Sequence, residues 1–364
     1  MRGIWALGVC ALGCGPSYRA PTLRAMLDRQ ALGEARDMLD GPLMRVERHP
    51  KTEARGLGGL VLLERGSVRW AQGDFAGCAQ DFAAADRLLD RQALKRVNYL
   101  RAGKNPEATV YLFERGWAQA ANLPFGPKFY ERLLLNPFAA VCRSENDDTT
   151  GACVEARRFG VMADYTEQVH AGQAQRARAF GELISAFACQ AADPTLSHDA
   201  LERARRFGVA VDEMGLQREA SAAVDDAELW IVAAYGRPSH PESDENWQNV
   251  RIVGGPETRP EPVRVVIDGA ERAALEVLDV EAAVQDDFRD AENALTVRFM
   301  GMTGTTGQWS PQAWLALPAH VHLLVARVSL GEHAVSVTLR GTEYVRRVTA
   351  RAGPARLVSF FAPW

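Results

Sequence analysis

The spacing of apolar residues changes near Asp226, and this change limits the fold more than any other feature of the sequence. Before that point, apolar residues recur at intervals of three and four, which is typical of helices that bury one face. After it, short apolar or alternating runs of strand length take over, as in Glu228–Gly236. Helices followed by strands indicate an α+β fold. We predict a helical domain over 21–227 and a mainly β domain with a short helical segment over 228–364.

One segment of the helical region, Leu62–Asp90, resembles a tetratricopeptide repeat. In that repeat, small residues let two antiparallel helices approach, and an aromatic side chain fills the groove between them. Ala31–Asp40 resembles the second helix of another repeat, which Gly41-Pro42 is expected to end. We therefore predict a tetratricopeptide-like array of helical hairpins. Its expected packing residues are Gly66, Gly73, Phe75, Cys78, Phe82 and Ala85.

A short run of sequence, ARRFGV, occurs twice in the helical region, within Ala156–Asp164 and within Ala204–Asp212. Both copies fall in helical patterns. We expect Phe159 and Phe207 to be core residues, flanked by arginines on a solvated face. The alternative is an anion site formed by the paired arginines.

The strongest strand pattern lies in Ala313–Gly341. His320 and His322 fall on one face of an alternating strand. Gly331 is placed to turn the chain, so that 334–340 would pair back antiparallel as a hairpin. Together with the strand-like runs that follow, this pattern predicts a small antiparallel sheet or sandwich.

The first residues resemble a bacterial export signal. A basic residue is followed by an apolar stretch, Ile4–Leu12, which is too short to span a bilayer. A small residue followed by Cys14 resembles the lipobox of lipoproteins, whose cysteine carries fatty chains such as palmitate and becomes the new N-terminus. We predict a signal peptide with lipobox over 1–14 and lipidation of Cys14. The alternatives are lipidation of Cys10, a plain signal peptide cut near Gly15, and a wrongly assigned start codon.

The residue after Cys14 bears on location. Gly15, rather than aspartate, resembles the sequence of lipoproteins sorted to the outer membrane. We expect an outer-membrane protein that faces the periplasm and meets the membrane through its lipid anchor. The formal net charge is −4 and no long run of lysine or arginine occurs, so nucleic acid is not an expected partner.

Four cysteines follow the signal: Cys78, Cys142, Cys153 and Cys189. An exported protein meets an oxidising compartment, where disulfides form. Cys142 and Cys153 bracket a polar loop between two helical patterns, so a disulfide between them would pin a helical hairpin. The alternative is that both are buried free thiols. The spacing contains no paired-cysteine zinc motif.

No stretch matches a hydrolase, metalloprotease or phosphate-binding motif. We therefore predict no catalytic residue, no cofactor and no enzymatic activity. The one candidate metal set is His320, His322 and His333, because the third would lie across the predicted hairpin from the first two. Sheet histidines without a metal are the favoured interpretation.

Several stretches together resemble a family of Gram-negative lipoproteins with tetratricopeptide-like N-terminal helices and a small C-terminal β-domain. They are Cys14 after the signal, Tyr130–Leu135 with Val154–Arg158, Glu228–Pro238, and Trp314, Leu317-Pro318, Arg327 and Gly331–His333. The resemblance covers nearly the whole chain and implies an envelope role without an established activity. We expect a membrane-anchored, non-enzymatic scaffold for envelope proteins. The alternatives are a cell-envelope hydrolase acting on glycan or peptide, with Glu131 and Asp164 as acid and base, and a purely structural lipoprotein.

Overall fold

Helices precede strands along the chain, as the change of periodicity predicts. The computed structural model describes residues 20–48, 58–102, 128–169, 175–211, 214, 226–243, 250–253, 260–286 and 313–364. The described helices before the first strand are α1 Ala20–Asp28, α2 Leu32–Arg48, α3 Gly58–Ala71, α4 Phe75–Ala102, α5 Phe129–Glu145, α6 Thr149–Val169, α7 Gln175–Ala188 and α8 Pro194–Arg206. We call α1–α8 the helical part. The predictions for 1–14, including Cys14, lie outside the described residues.

The strands form two small sheets and a separate hairpin, which we call the β part. They are β1 Asp226–Tyr235, β2 His240–Ser243, β3 Val250–Val253, β4 Arg264–Ile267, β5 Ala270–Ala273, β6 Leu275–Asp279, β7 His320–Ser329, β8 Gly331–Leu339, β9 Thr342–Ala350 and β10 Arg356–Ala362. The first sheet has the order β10-β1-β7-β6, the second has the order β5-β4-β8-β9, and β2 pairs with β3. A short helix, α9, follows β6 at 280–286. The expectation of antiparallel pairing fails for β1 and β10, which run parallel. The fold is α+β.

The predicted hairpin across Gly331 is wrong, because β7 and β8 belong to different sheets. β7 pairs with β1 and β6, whereas β8 pairs with β4 and β9. Gly331 has φ 138°, a conformation that side chains disfavour, and the chain passes there from one sheet to the other. The predicted alternation of β7 is confirmed. Val321 and Leu323 pack on the helical core, while Ala326 and Val328 belong to the core that includes the second sheet.

Two close helix contacts depend on glycine. A Cβ added to Gly66 on α3 would lie 2.7 Å from the ring of Phe82 on α4. A Cβ added to Gly181 on α7 would lie 2.2 Å from the ring of Phe159 on α6. Both rings are fully buried. Glycine therefore lets each aromatic ring sit directly on the neighbouring helix, as predicted for Gly66 and Phe82.

The other predicted packing residues of the first hairpin lie where the pattern places them. Cys78 and Ala85 are buried on α4, and Phe75 is half-buried at the start of that helix. Gly73 is exposed in the turn between α3 and α4 and has φ 76°, which favours glycine.

The predicted disulfide between Cys142 and Cys153 is wrong. Cys142 on α5 is bonded to Cys78 on α4, and Cys153 on α6 is bonded to Cys189, which directly follows α7. Cys142 faces the preceding hairpin and Cys153 faces the following one, although a short turn joins their helices. The disulfides therefore link neighbouring hairpins to each other and do not close a single one.

Two local expectations in the helical part are also corrected. Gly41-Pro42 does not end a helix, because α2 continues through both residues. Phe159 is buried within α6, but Phe207 is only half-buried and caps the C-terminal end of α8. The Phe207 ring lies under the Arg178 guanidinium, 4.6 Å from the ring centroid.

Three of the four arginines of the repeated run form ion pairs, which argues against the alternative anion site. Arg157 Nη2 lies 2.9 Å from Asp193 Oδ2, and Arg158 Nη1 lies 3.4 Å from Glu155 Oε2. Arg205 is paired with Glu202.

Candidate functional site

The segment just before β7, residues 313–319, lies buried against the helical part. We call it the Trp314 segment. The Trp314 side chain is 1% exposed and packs edge-on against Phe82 at 5.5 Å and Phe138 at 6.1 Å between ring centroids. Its indole Nε1 donates a hydrogen bond of 2.9 Å to Ser67 Oγ. The face formed by α3, α4 and α5 is thus occupied by the chain's own tryptophan.

Two buried carboxylates hold the backbone of the Trp314 segment. Glu64 on α3 accepts hydrogen bonds from the backbone N–H groups of Leu315 at 2.6 Å and Ala316 at 2.8 Å. Glu131 on α5 accepts one from the Trp314 N–H and one from the Lys128 N–H, both at 2.7 Å. Charge-assisted hydrogen bonds of this length are strong, and in a buried site they have little competition from water. This part of the helical face therefore binds the turn at the start of the Trp314 segment through its backbone N–H groups.

The sequence contained a signal for Glu64 that our interpretation missed. An acidic residue within an apolar helical run, Leu60–Leu63 followed by Glu64, indicates a buried charge that needs partners. Glu131 is the residue that the hydrolase alternative assigns to acid–base catalysis. It is 1% exposed and both of its oxygens accept backbone hydrogen bonds.

The edge strand β10 is also covered by the helical part. Glu145, the last residue of α5, accepts hydrogen bonds from the Ser359 N–H and, at 2.7 Å, from the Ser359 hydroxyl. Trp70 on α3 donates its indole N–H to Ser359 Oγ at 2.9 Å and stacks on Phe361 at 4.6 Å. Arg346 on β9 forms an ion pair with the same Glu145. The helical part therefore covers an edge that could otherwise pair with another chain.

The Gly–Arg–Pro stretch after β1 attaches α1 to the β part. Arg237 is 4% exposed and forms an ion pair with Asp28 on α1, and it also donates to the Arg24 carbonyl oxygen at 3.4 Å. Burial lowers the pKa of Arg237, and the nearby Asp28 charge partly offsets this.

The structure brings two of the three predicted histidines together. His320 and His322 lie on β7, are 1% and 4% exposed, and pack against the Tyr235 ring at 5.3 Å and 5.6 Å. His333 lies on β8 in the other sheet. The three-histidine set is therefore wrong with respect to His333, because β7 and β8 do not form a hairpin.

The three histidines have different surroundings. Burial lowers the pKa of His322. His320 Nδ1 lies 2.8 Å from Glu276 Oε1. His333 bonds to Asp268 through Nδ1 and to the Ser329 carbonyl oxygen at 2.7 Å through Nε2, and the Asp268 hydrogen bond raises the pKa of His333.

A shallow cavity of about 270 Å³ lies between α4 and the α5–α6 turn. Its lining residues are Ala76, Ala79, Gln80, Ala83, Arg87, Arg143, Asn146 and Asp148. Arg143 and Asp148 form an ion pair of 2.7 Å with each other. The lining contains no nucleophile with a neighbouring base, so the cavity does not suggest a reaction.

The chain matches no known family model, no curated protein and no solved structure. Among the described residues, no helix is long and apolar enough to cross a membrane. The functional proposal therefore rests on the contacts within this chain.

Proposed function

We propose that this protein is an exported, lipid-anchored member of the bacterial outer membrane that acts as a non-enzymatic interaction scaffold. The observation that supports export best is the pairing of all four cysteines after Cys14 into two disulfides. Disulfides persist in the periplasm and are rare in the reducing cytosol. An export signal at the start of the chain and disulfides in its body agree with each other, although they involve different residues.

The scaffold proposal rests on the stacking of helical pairs. α3 packs on α4, α5 on α6 and α7 on α8, while α5 also packs on α7. Such stacking is expected of tetratricopeptide-like hairpins, whose concave surface suits protein partners. Here, residues of α3 and α5 hold the Trp314 segment, which turns at Leu315 and Ala316 and donates backbone N–H groups to Glu64 and Glu131. Because this face is occupied from within the chain, partner proteins are proposed to dock on the outer surface.

A hydrolase that uses Glu131 is the less favoured alternative. A general acid or base must reach the substrate and exchange a proton with it. Glu131 is buried and accepts two backbone hydrogen bonds, so its carboxylate serves to position the Trp314 segment.

The anchor is tested with Cys14→Ser and with Cys10→Ser as the matched control. We expect the native chain and Cys10→Ser to sediment with membranes and to carry fatty chains in the mass spectrum of the mature N-terminus. Cys14→Ser should lose both properties. Unchanged sedimentation and mass in Cys14→Ser would exclude lipidation at this residue.

The scaffold role is tested by crosslinking in intact cells, with a photoreactive residue at exposed Val161 on α6 or at exposed Val345 on β9. Repeated capture of the same envelope protein from the helical site supports the proposal. Release of glycan or peptide fragments from isolated cell walls by purified protein, with release abolished in Glu131→Gln, would instead support the hydrolase. The absence of both results would favour a purely structural lipoprotein.

A further inference from the structure

Four side chains of ligand type share one face of the first sheet. In the pairing of β6 with β7, Glu276 lies opposite His322 and Asp279 lies opposite His320. Directly opposed residues point to the same face, and so do residues two apart on one strand. Two imidazoles and two carboxylates therefore lie next to each other at the edge of this sheet.

A bulge in β6 places Asp279 on this face. Glu276 and Asp279 are three residues apart, and a regular strand would point them in opposite directions. The register shifts between Glu276 and Leu278, which adds one residue and restores Asp279 to the side of Glu276. Bulges commonly re-aim side chains near functional sites. The sequence gives no sign of this shift, so its alternation alone would not have found the pair.

The distances fit a single metal ion. One ligand atom from each of Glu276, Asp279 and His320 lies within 4.8 Å of the other two, and His320 Nδ1 is 2.8 Å from Glu276 Oε1. Tetrahedral ligands at about 2.1 Å from an ion lie about 3.4 Å apart. The His320–Glu276 contact of 2.8 Å is somewhat shorter and the 4.8 Å limit of the set is somewhat longer, so modest side-chain rotations would place all three atoms around one ion.

His322 supplies an independent observation. It is 4% exposed, and its Nδ1 has no hydrogen-bond partner of normal geometry among the described residues. Its Nε2 lies 3.4 Å from the Tyr235 hydroxyl. The Ala274 backbone interacts with this ring but not in hydrogen-bond geometry with Nδ1. A buried nitrogen without a well-aligned partner calls for an explanation such as a bound ion.

The surroundings of the site allow an ion to enter and leave a carboxylate oxygen free to bind it. Glu276 is the solvent-exposed member of the set, so an ion can reach the site from outside. Asp279 Oδ1 accepts the Ala282 N–H at 2.9 Å at the start of α9, which leaves its second oxygen for an ion.

The geometry points to a binding site for a divalent transition metal of the zinc type, with Glu276, Asp279 and His320 as ligands and His322 beside them on the same face of the sheet. Mixed imidazole and carboxylate ligands suit zinc and its neighbours better than calcium or magnesium, which prefer oxygen alone. The ion would tie β6 to the start of β7, where the Trp314 segment ends. This site is independent of the proposed scaffold function and of the lipid anchor.

The test is a zinc titration of the purified full chain, made without a histidine tag and first dialysed against a chelator. We expect about one zinc per chain, a dissociation constant in the micromolar range or below, and a higher melting temperature with zinc. X-ray absorption of the bound zinc should report a mixed nitrogen and oxygen shell that includes imidazole. A shell without imidazole, or binding of much less than one equivalent, would overturn the proposal.

Conservative variants locate the site. Asp279→Asn keeps an acceptor for the Ala282 N–H but removes the ligand charge, and Glu276→Gln does the same for the His320 contact. Each is expected to weaken zinc binding by at least tenfold while keeping the circular dichroism of the metal-free protein. His333→Gln is the matched control and should bind zinc as the native chain does. Equal affinity of the native chain and the double variant Glu276→Gln/Asp279→Asn would show that the zinc binds elsewhere.

Discussion

The helical part and the β part of this protein are stabilised by different kinds of contact. The helical part packs neighbouring hairpins through short turns and links them with two disulfides. The β part contains no cysteine and pairs strands that are distant in sequence, such as β1 with β10. Its Trp314 segment and its β10 edge both rest on helices. We therefore expect damage to the helical part to spread to the sheets, and loss of the disulfides or of the Trp314 ring tests this dependence.

Loss of the disulfides is expected to have the largest effect. The bonds span 64 and 36 residues, and each should contribute about 4 kcal/mol by restricting the unfolded chain. Full reduction, or the double variant Cys153→Ser/Cys189→Ser for one bond, should lower the urea midpoint of helix and sheet signals together. Cys10→Ser, which leaves both bonds intact, is the control. Equal stability of the oxidised and reduced proteins would contradict the importance of these links.

Trp314→Ala tests the contact between the two parts directly. Removing this fully buried ring should cost about 3–5 kcal/mol and leave Ser67 without its indole donor. Trp314→Phe keeps most of the ring volume and should cost about 1–2 kcal/mol. Urea unfolding followed by circular dichroism measures both. If the alanine variant loses only sheet signal while the helices unfold at the native midpoint, the two parts are less coupled than we infer.

Substitutions at two glycines on neighbouring helices distinguish the effect of close packing on stability from the effect of helix propensity. Gly181→Ala places a methyl group 2.2 Å from the Phe159 ring and should destabilise the protein by about 1–3 kcal/mol. Gly160→Ala meets no atom within 4 Å, so the better helix propensity of alanine should stabilise by up to about 1 kcal/mol. Thermal melting compares the two variants. Similar shifts of the same sign would mean that the Gly181 contact is not close.

The smallest expected effect concerns the pair of His333 and Asp268 in the second sheet. The pair raises the pKa of His333 and lowers that of Asp268. The His333 contribution is therefore complete below a pH of about 6.5 and is lost as the pH rises through its raised pKa. The Asp268 contribution is complete above a pH of about 3.9 and is lost as the pH falls through its lowered pKa.

An NMR titration of the His333 ring measures this pair. Asp268→Asn should return the titration toward the ordinary histidine range, while the exposed neighbour Glu332→Gln should leave it in place. Because Asp268 lies at the surface, the change in overall stability should be small. A His333 titration that is unchanged in Asp268→Asn would contradict the assignment.

The sequence predicted those features that depend on local patterns. Periodicity located the helices and strands, and the small–aromatic spacing predicted the contact of Gly66 with Phe82, because these signals arise within one hairpin. Cysteine pairing and strand pairing depend on which elements become neighbours. That is why Cys142 was assigned the wrong partner and β7 was paired with β8.

The two copies of the ARRFGV run have identical residues but different conformations, which the local sequence could not predict. The first copy lies inside α6, and its phenylalanine fills the space left by Gly181. The second ends α8, where Gly208 has φ 87° and Phe207 stays partly exposed. Similarly, Gly41-Pro42 did not end α2. The packing around each copy, rather than its own residues, decides its conformation.

The proposed metal site could be predicted only in part from the sequence. His320 and His322 were recognised by their spacing, but Glu276 and Asp279 reach them only through a bulge and a strand pairing. Sequence spacing alone could not bring these four side chains together.

The parallel pairing of β1 with β10 has a consequence for biogenesis. The cysteines of both disulfides precede β1, so under the proposed export both bonds can form while the remainder of the chain is still being translocated. The first sheet can be completed only after β10, the last described strand, has emerged. Until the Trp314 segment arrives, Glu64 and the rings of Phe82 and Phe138 lack the partners that cover them in the folded protein, so under the proposed export the nascent helical array would be a client for periplasmic chaperones.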